Sequence, residues 1–434
     1  MLLESDIIKK GNKRRKAYNM YSPVQAPKGS SAGDWGAEVF PLLSWFRIDK
    51  VKNAKVMVAG AGALGNEVLK NLALFGVGNI VVVDFDKIEY SNLTRSILFR
   101  PEDADKGYYK AEIAAKRLKE INPAIHVQAI CGDLSTEVGL GVYRRMDVVV
   151  GCLDSLSART LLNRLCFRAG KIWIEGGIGD LEGQVTGYQL NKNCYECSLS
   201  EEEKREGATN NEENRVSCPK IAQGNEKRGR LATTPVSASI IGAIQAQEAM
   251  KIIHEEELKS GVFSALIGNM FHYEGKHPNA GTFEFSSYDN ECVAHEYWEN
   301  IVEIQSLSAK TKIGKALQLI RTTLNVESVT INLRNDEFVD YLASRSDNKK
   351  FVTMLPKSQI PNYIDASKEL EYLSIKDGGL YQNSYENIDE EFPYPDLTLK
   401  QIGVPYFDVL QITTEKGYAY VELSADKKYY KELF

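Results

Sequence analysis

No stretch of this chain approaches the ~18 consecutive apolar residues of a membrane span. Its opening, "MLLESDIIKKGNKRRK", turns charged too early for a secretory leader. Positive charge is not in excess: 53 Lys and Arg stand against 59 Asp and Glu, a formal net charge of −6. No global basic surface therefore invites nucleic acid or an anionic membrane. Cysteine is sparse, seven in 434 residues, and an odd, low count argues for a reducing compartment rather than a disulfide scaffold. Internal repeats are absent. These absences leave a soluble, cytoplasmic protein of two or three domains, with neither nucleic acid nor membrane as a partner.

What is present is a strong alternation. Residues 1–50 read as a polar N-terminal arm and a lead-in helix. From Lys55, short β-branched runs ("KVMVAG", "NIVVVDFD", "HVQAICGD", "MDVVVGCLD") alternate with helical stretches ("NEVLKNLALFG", "KAEIAAKRLKEINP", "ARTLLNRLCFRAG"). Such alternation predicts a parallel sheet covered on both faces. Residues 199–231 are charged and lack apolar periodicity, so they read as a long exposed loop. "PVSASIIGAIQAQEAMKIIH" returns to a tightly packed helix. The fold class is thus α/β, with a Rossmann-like domain over 51–304 and a smaller α+β unit over 305–434.

In "VMVAGAGALG" the glycines Gly60, Gly62 and Gly65 fall at G-x-G-x-x-G spacing, with Ala63 opening the helix. The turn suits a dinucleotide and ATP equally, since both need backbone N–H groups near phosphate at a helix N-terminus. Asp84, about twenty residues on, is placed to bond ribose hydroxyls. The residues beyond it separate the two uses. "DFDKIEYSNLTR" sets Asp86, Ser91, Asn92 and Arg95 beyond the second strand, Lys110 opens a helix, and Asp154 and Ser155 end or succeed the strand "VVVGCLD". Hydride transfer needs no such array, whereas a triphosphate with Mg²⁺ needs cations and an acid for the metal. No His or Glu stands out as a general base. That suits attack of a carboxylate, already a nucleophile at pH 7, on an α-phosphate.

The order "GAGALG", "NLALFGVGNIVVVDFDKIEYSNLTRSILF", "KAEIAAKRL", "GCLDSLSAR" and "GGIGDLEGQV" resembles the ubiquitin-activating enzyme superfamily, which includes bacterial adenylyltransferases for molybdopterin and thiamine sulfur carriers. The resemblance implies that Asp84 binds ribose, that Asn92, Arg95 and Lys110 line the triphosphate, and that Asp154 serves Mg²⁺. Family members commonly receive a partner-subunit arginine from an N-terminal "R-Q" motif, which this chain lacks. Arg14, Arg15 and Arg47 are the substitutes at hand, with a homodimer as the default assembly and a heterodimer as the alternative.

"CYEC" and "ECVAH" supply Cys194, Cys197, Cys292 and His295, two short ligand pairs suited to tetrahedral Zn²⁺. The first pair matches the family's zinc position; the second departs from it by ending in histidine. Cys218, in "NRVSCPKIAQ", resembles the catalytic cysteine that takes a modifier from its adenylate as a thioester. Cys131, Cys152 and Cys166 lie in apolar patterns and read as core. Near the C-terminus, "LTLKQIGVPYFDVLQITTEKGYAYVELS" resembles the β-grasp, ubiquitin-fold domain that recruits a conjugating enzyme, with residues 360–395 inserted. The expected function is ATP-dependent activation of a ubiquitin-like protein ending in glycine, by adenylation, thioester formation on Cys218 and transfer to a conjugating enzyme. The alternative is adenylation of a sulfur carrier on the way to a thiocarboxylate. A non-catalytic scaffold and an NAD-dependent oxidoreductase fit the motifs less well.

Overall fold

The computed structural model describes residues 36, 39–208, 233–284, 288–333, 336–344, 349–370 and 380–430. Its largest sheet begins with β1 (Lys55–Ala59), followed by α1 (Ala63–Phe75), β2 (Asn79–Val83), α2 (Lys110–Ile121) and β3 (His126–Ile130). The chain then crosses to β4 (Val148–Gly151), α3 (Leu156–Arg168), β5 (Trp173–Ile178) and β6 (Glu182–Tyr188). The long helix α4 (Pro235–Ile253) leads to the hairpin β7 (Asn269–Glu274) and β8 (Asn279–Glu284). Strand order is β3-β2-β1-β4-β5-β6-β7-β8.

The parallel part runs from β3 to β5. Alternate residues of β1 face opposite layers, as a pleated strand requires. Val56 and Val58 pack with Val68, Leu72, Leu118 and Ile241 of α1, α2 and α4. Met57 and Ala59 pack with Leu162, Leu165 and Cys166 of α3. The four runs read as alternating strands are parallel, as expected, and the sheet is extended by β6, β7 and β8, which run antiparallel to their neighbours. Only short turns separate β5 from β6 and β7 from β8, too short for a parallel crossover. The exposed loop expected over 199–231 is corrected in its first part, because residues 201–208 are helical. Three glutamates in that helix's first turn suit its dipole. Among the described residues no helix is long and apolar enough to cross a membrane.

The C-terminal part holds β9 (Val302–Ile304), α5 (Ile313–Leu324), β10 (Thr330–Asn332), β11 (Phe338–Ser344), β12 (Lys350–Pro356), β13 (Leu380–Tyr385), β14 (Asn387–Ile388), β15 (Val409–Thr414) and β16 (Gly417–Leu423). It forms a five-stranded sheet, β14-β10-β15-β16-β9, and a three-stranded one, β12-β11-β13. Amphipathic α5 buries Ile313, Ala316, Leu317 and Ile320 in one cluster with strand residues Ile331, Leu410 and Ile412. One strand of the three-stranded sheet, β13, falls within the stretch 360–395 read as an insert.

This part is joined to the large sheet's domain by a shared core. Phe407, Val409 and Tyr430 pack with Val138, Leu140, Val142 and Tyr143. Gly139 and Gly141 lie so close to residues 406–408 that a Cβ on either would fall 2.4 Å from a backbone oxygen. Gly141 N–H donates to the Phe407 carbonyl at 3.0 Å, and Leu140 N–H donates to the Asp408 carboxylate at 2.8 Å. Fully buried Glu422 accepts from both Arg144 and Arg145.

Candidate active site

At the carboxyl edge Ala59 is in register with Val83 on one side and Gly151 on the other. Gly60, Asp84 and Cys152 therefore leave the sheet side by side, where open α/β sheets bind ligands. The three glycines of the turn have different reasons. Gly60 has φ +96°, and a Cβ there would lie 2.3 Å from the Cys152 carbonyl oxygen. A Cβ on Gly65 would fall 2.0 Å from the Gly60 carbonyl oxygen. These two permit the turn and the close helix–strand approach. Gly62 has nothing within 4 Å of its missing Cβ. It stands at the N-cap of α1, and no side chain caps that helix, so the backbone donors of its first turn are left for an anion.

Asp84 holds this turn. Its carboxylate accepts Ala61 N–H at 2.7 Å and Asp86 N–H at 2.8 Å. Burial raises its carboxyl pKa above the ordinary value, against the pull of Lys110 and the two amides. Lys110, almost buried at the start of α2, pairs with Asp86 at 2.7 Å. Sequence groups Asp86 with the nucleotide-binding residues, and the structure commits its carboxylate to holding Lys110. The loop beyond β2 is capped from within. Asn92 Oδ1 accepts Glu89 N–H at 2.9 Å, Ser91 Oγ donates to Glu89 at 3.2 Å, and Arg95 Nη1 donates to the Ser91 carbonyl at 2.9 Å. Across the turn, Asp154 is exposed and its carboxylate makes no hydrogen bond or ion pair among the described residues. Ser155 is the N-cap of α3, its Oγ accepting Ala158 N–H at 3.2 Å.

Three buried polar residues that sequence reasoning passes over shape these loops. Asn66 donates to the Ala61 and Gly62 carbonyls at 2.7 and 2.9 Å and accepts Leu98 N–H at 2.8 Å. Gln245 of α4 donates to the Gly151 carbonyl at 2.9 Å. Arg159 of α3 donates to the Leu153 carbonyl at 2.8 Å. The available signal is a polar residue on the apolar side of a helix, which a core rarely tolerates without a specific partner.

Two placements bear on expectations. Arg47 pairs with Glu257 at 2.9 Å, and its N–H donates to His254 Nε2 at 2.9 Å. Thr234 and Ser237 at the start of α4 bond the Asp180 carbonyl, just beyond the carboxyl end of β5. The other end of α4, where Arg47 is held, therefore lies toward the opposite edge of the sheet from this chain's own glycine turn. Cys131 is exposed because β3 ends one residue before it; Cys166 is buried as expected and Cys152 half-buried. Cys218, Arg14 and Arg15 lie outside the described residues.

On the α3 side, the ligand atoms of Cys194, Cys197, Cys292 and His295 all lie within 4.8 Å of one another. Sulfur separations are 3.6 Å for Cys194–Cys197 and 3.7 Å for Cys194–Cys292, and Cys197 Sγ lies 3.3 Å from His295 Nε2. Zn–S and Zn–N bonds of ordinary length at tetrahedral angles give edges of about 3.5–3.8 Å, so the donor set fits Zn²⁺. Bonds from the Cys194 and Cys292 thiols hold the Cys197 thiol far below its usual range. The His295 ring stacks between Phe167 and Tyr288, with centroids 5.2 and 4.6 Å away. Asn163 of α3 fixes the first knuckle by accepting Tyr195 N–H at 3.2 Å.

Residues 37–294 match the ThiF family. SUMO-activating enzyme subunit 2 of Dictyostelium discoideum is 37% identical over 37% of this chain and 24% of its own length. A protein named "Probable molybdopterin-synthase adenylyltransferase" from Pyropia yezoensis is 30% identical over 69% of this chain and 73% of its own. The sulfur carrier protein adenylyltransferase of Thermus thermophilus is 32% identical over 52% of this chain and 76% of its own. The chain thus spans about a quarter of the first relative and about three quarters of the other two.

Proposed function

Since the chain belongs to the ThiF family, we propose that it uses ATP to adenylate the C-terminal carboxylate of a small protein ending in glycine. One observation carries the reading: the bare Gly62 turn at the uncapped start of α1, flanked by buried Lys110 and by the free carboxylate of Asp154. The incoming carboxylate is ionised at pH 7 and needs no base, so the barrier is repulsion between anions and misalignment. The N–H groups of α1, Arg95, Lys110 and Asn92 offset the phosphate charge, and Asp84 orients the ribose while fixing the turn. Asp154 would hold Mg²⁺, which when bound supplies further charge neutralisation. Cys194, Cys197, Cys292 and His295 would hold a structural Zn²⁺ that closes a long loop.

The relatives that this chain covers most fully carry the names of molybdopterin-synthase and sulfur-carrier adenylyltransferases. They favour a sulfur carrier as the acceptor, with its adenylate consumed on the way to a thiocarboxylate. A second reading, activation of a ubiquitin-like modifier as a thioester for a conjugating enzyme, is supported by Cys218 in its "SCPKIAQ" context and by the C-terminal unit packed on the adenylation domain.

The full chain is incubated with ATP and, in turn, small β-grasp proteins ending in glycine. ATP–pyrophosphate exchange is measured, and products are weighed with and without thiol. Exchange with no reducible adduct supports the sulfur-carrier reading. A reducible adduct lost in Cys218→Ala, with exchange retained, supports the modifier reading. Absence of exchange with every such protein defeats both.

A further inference from the structure

The loop that presents Asp154 is held by a buried ion pair that the proposed reaction does not itself use. Arg159 and Glu175 are each 1% exposed, with Arg159 Nε 3.3 Å from Glu175 Oε1. Arg159 Nη2 reaches past that pair to the Leu153 carbonyl at 2.8 Å and the Gly176 carbonyl at 3.4 Å. One guanidinium thus ties the residue before Asp154 to the carboxyl end of the neighbouring strand β5. The residue after Asp154 is fixed as well, because Ser155 caps α3. The start of the loop is fixed too, by Cys152 N–H on the Ala59 carbonyl at 2.7 Å and by Gln245 on the Gly151 carbonyl at 2.9 Å. Only the Asp154 side chain is left uncommitted. A buried ion pair is a poor source of net stability, since desolvation of both charges offsets their attraction.

We propose that Arg159 is a positioning residue for Asp154, a carbonyl clamp that sets the loop's backbone so that the carboxylate meets a nucleotide-bound divalent cation without first having to be ordered. Glu175 keeps the guanidinium in register. The inference rests on the role proposed above for Asp154 and adds a residue that acts through it. Supporting residues of this kind tune metal affinity by fixing a ligand's orientation.

The test uses the full chain with Mn²⁺ and the non-hydrolysable analogue AMPCPP, reading Mn²⁺ affinity by electron paramagnetic resonance and metal-free AMPCPP affinity separately. The variant Arg159→Met/Glu175→Gln removes the pair together, so that no buried charge is stranded. It should weaken Mn²⁺ binding about 10- to 100-fold and leave metal-free AMPCPP binding unchanged. Arg159→Lys keeps a charge opposite Glu175 without the forked reach; it should fall between, and it carries the test alone if the paired variant does not fold. On an Asp154→Asn background the paired change should add little, because the ligand it positions is already gone. Wild-type Mn²⁺ affinity in the folded Arg159 variants, or losses that simply multiply with that of Asp154→Asn, would overturn the clamp while leaving Asp154 in place. Unchanged Mn²⁺ affinity in Asp154→Asn itself would remove the metal role of Asp154, and the clamp with it.

Discussion

The shared core between the two parts makes a sharp demand on Phe407. Its ring is fully buried, lies under the Arg145 guanidinium at 4.6 Å, and sits 5.9 Å from the Tyr430 ring. Truncation to alanine should cost about 3–5 kcal/mol for the lost burial and cavity, and about 1 kcal/mol more for the cation–π contact. The backbone adds a second, independent signature. Phe407 has φ 59°, a left-handed conformation that a Cβ makes unfavourable by about 1–2 kcal/mol. Phenylalanine and alanine both bear that strain and glycine does not. Phe407→Gly should therefore be no less stable than Phe407→Ala, whereas at an ordinary helical position glycine is worse by about 0.5–1 kcal/mol. Urea unfolding of the full chain, followed by far-ultraviolet circular dichroism and tryptophan fluorescence, gives both comparisons. Wild type should unfold in one transition by both probes. A loss under about 1 kcal/mol in Phe407→Ala, far below the usual aromatic truncation, would refute the reasoning, as would a glycine variant clearly weaker than the alanine one.

Asp408 beside it is buried, and burial pushes its carboxyl up to about 6 from an ordinary 3.8. Between those values the unfolded chain has released a proton that the folded chain keeps, so this group's contribution to stability falls as pH rises through the window, by about 3 kcal/mol in all. Asp408→Asn, which keeps an acceptor for Leu140 N–H, should gain on wild type above pH 6 and not below pH 4; equal denaturation midpoints across that range would contradict this. Freshly purified protein should carry about one Zn²⁺ per chain by mass spectrometric metal analysis, and His295→Ala should release it to a chelator that leaves the wild type loaded. Asp154→Ala should abolish carrier-dependent pyrophosphate exchange in a folded protein, and Arg95→Ala should slow it about a hundredfold, the scale of one lost contact to developing charge. Near-normal exchange in either would take that residue out of the mechanism.

Much of this is legible in the chain because periodicity reports burial directly. Continuous β-branched runs announce β1 to β4, and a left-handed Gly76 ends α1 where "LFG" suggests. The three antiparallel strands are harder to read, since "EGQVTGY" and "NAGTFE" have few apolar residues to alternate. Of the site, the glycine turn and the ordered polar loops are visible, as is the zinc-ligand set, whose four residues do converge. Invisible are the partners that commit side chains elsewhere. Asp86 faces Lys110 across 24 residues, and the Arg47 guanidinium meets Glu257 from a far more distant part of the chain. No local pattern encodes pairs at such separations. Buried Asn66, Arg159 and Gln245 read in sequence only as helix, although all three bond backbone carbonyls of the site's loops.

The seam also constrains any role for the C-terminal unit. Glu422 is fully buried and accepts from two arginines of the large domain, while Lys400 reaches the Glu137 carboxylate at 3.0 Å. Pulling the unit away would strand a buried carboxylate and bare the apolar contacts of Phe407 and Leu140, a penalty of several kcal/mol. A docking arm that swings freely between partners is therefore not what these contacts support. If the modifier reading holds, a conjugating enzyme recruited to this unit is held at a set distance from the carboxyl edge of the large sheet. Deletion of residues 305–434 cannot test recruitment, because it would uncover the core at Val138, Leu140 and Tyr143. Substitutions on the exposed side of β16, such as Tyr418→Glu at a side chain 69% exposed, leave that core intact. A conjugating enzyme that docks on this sheet would lose affinity for such a variant while pyrophosphate exchange continued at the wild-type rate.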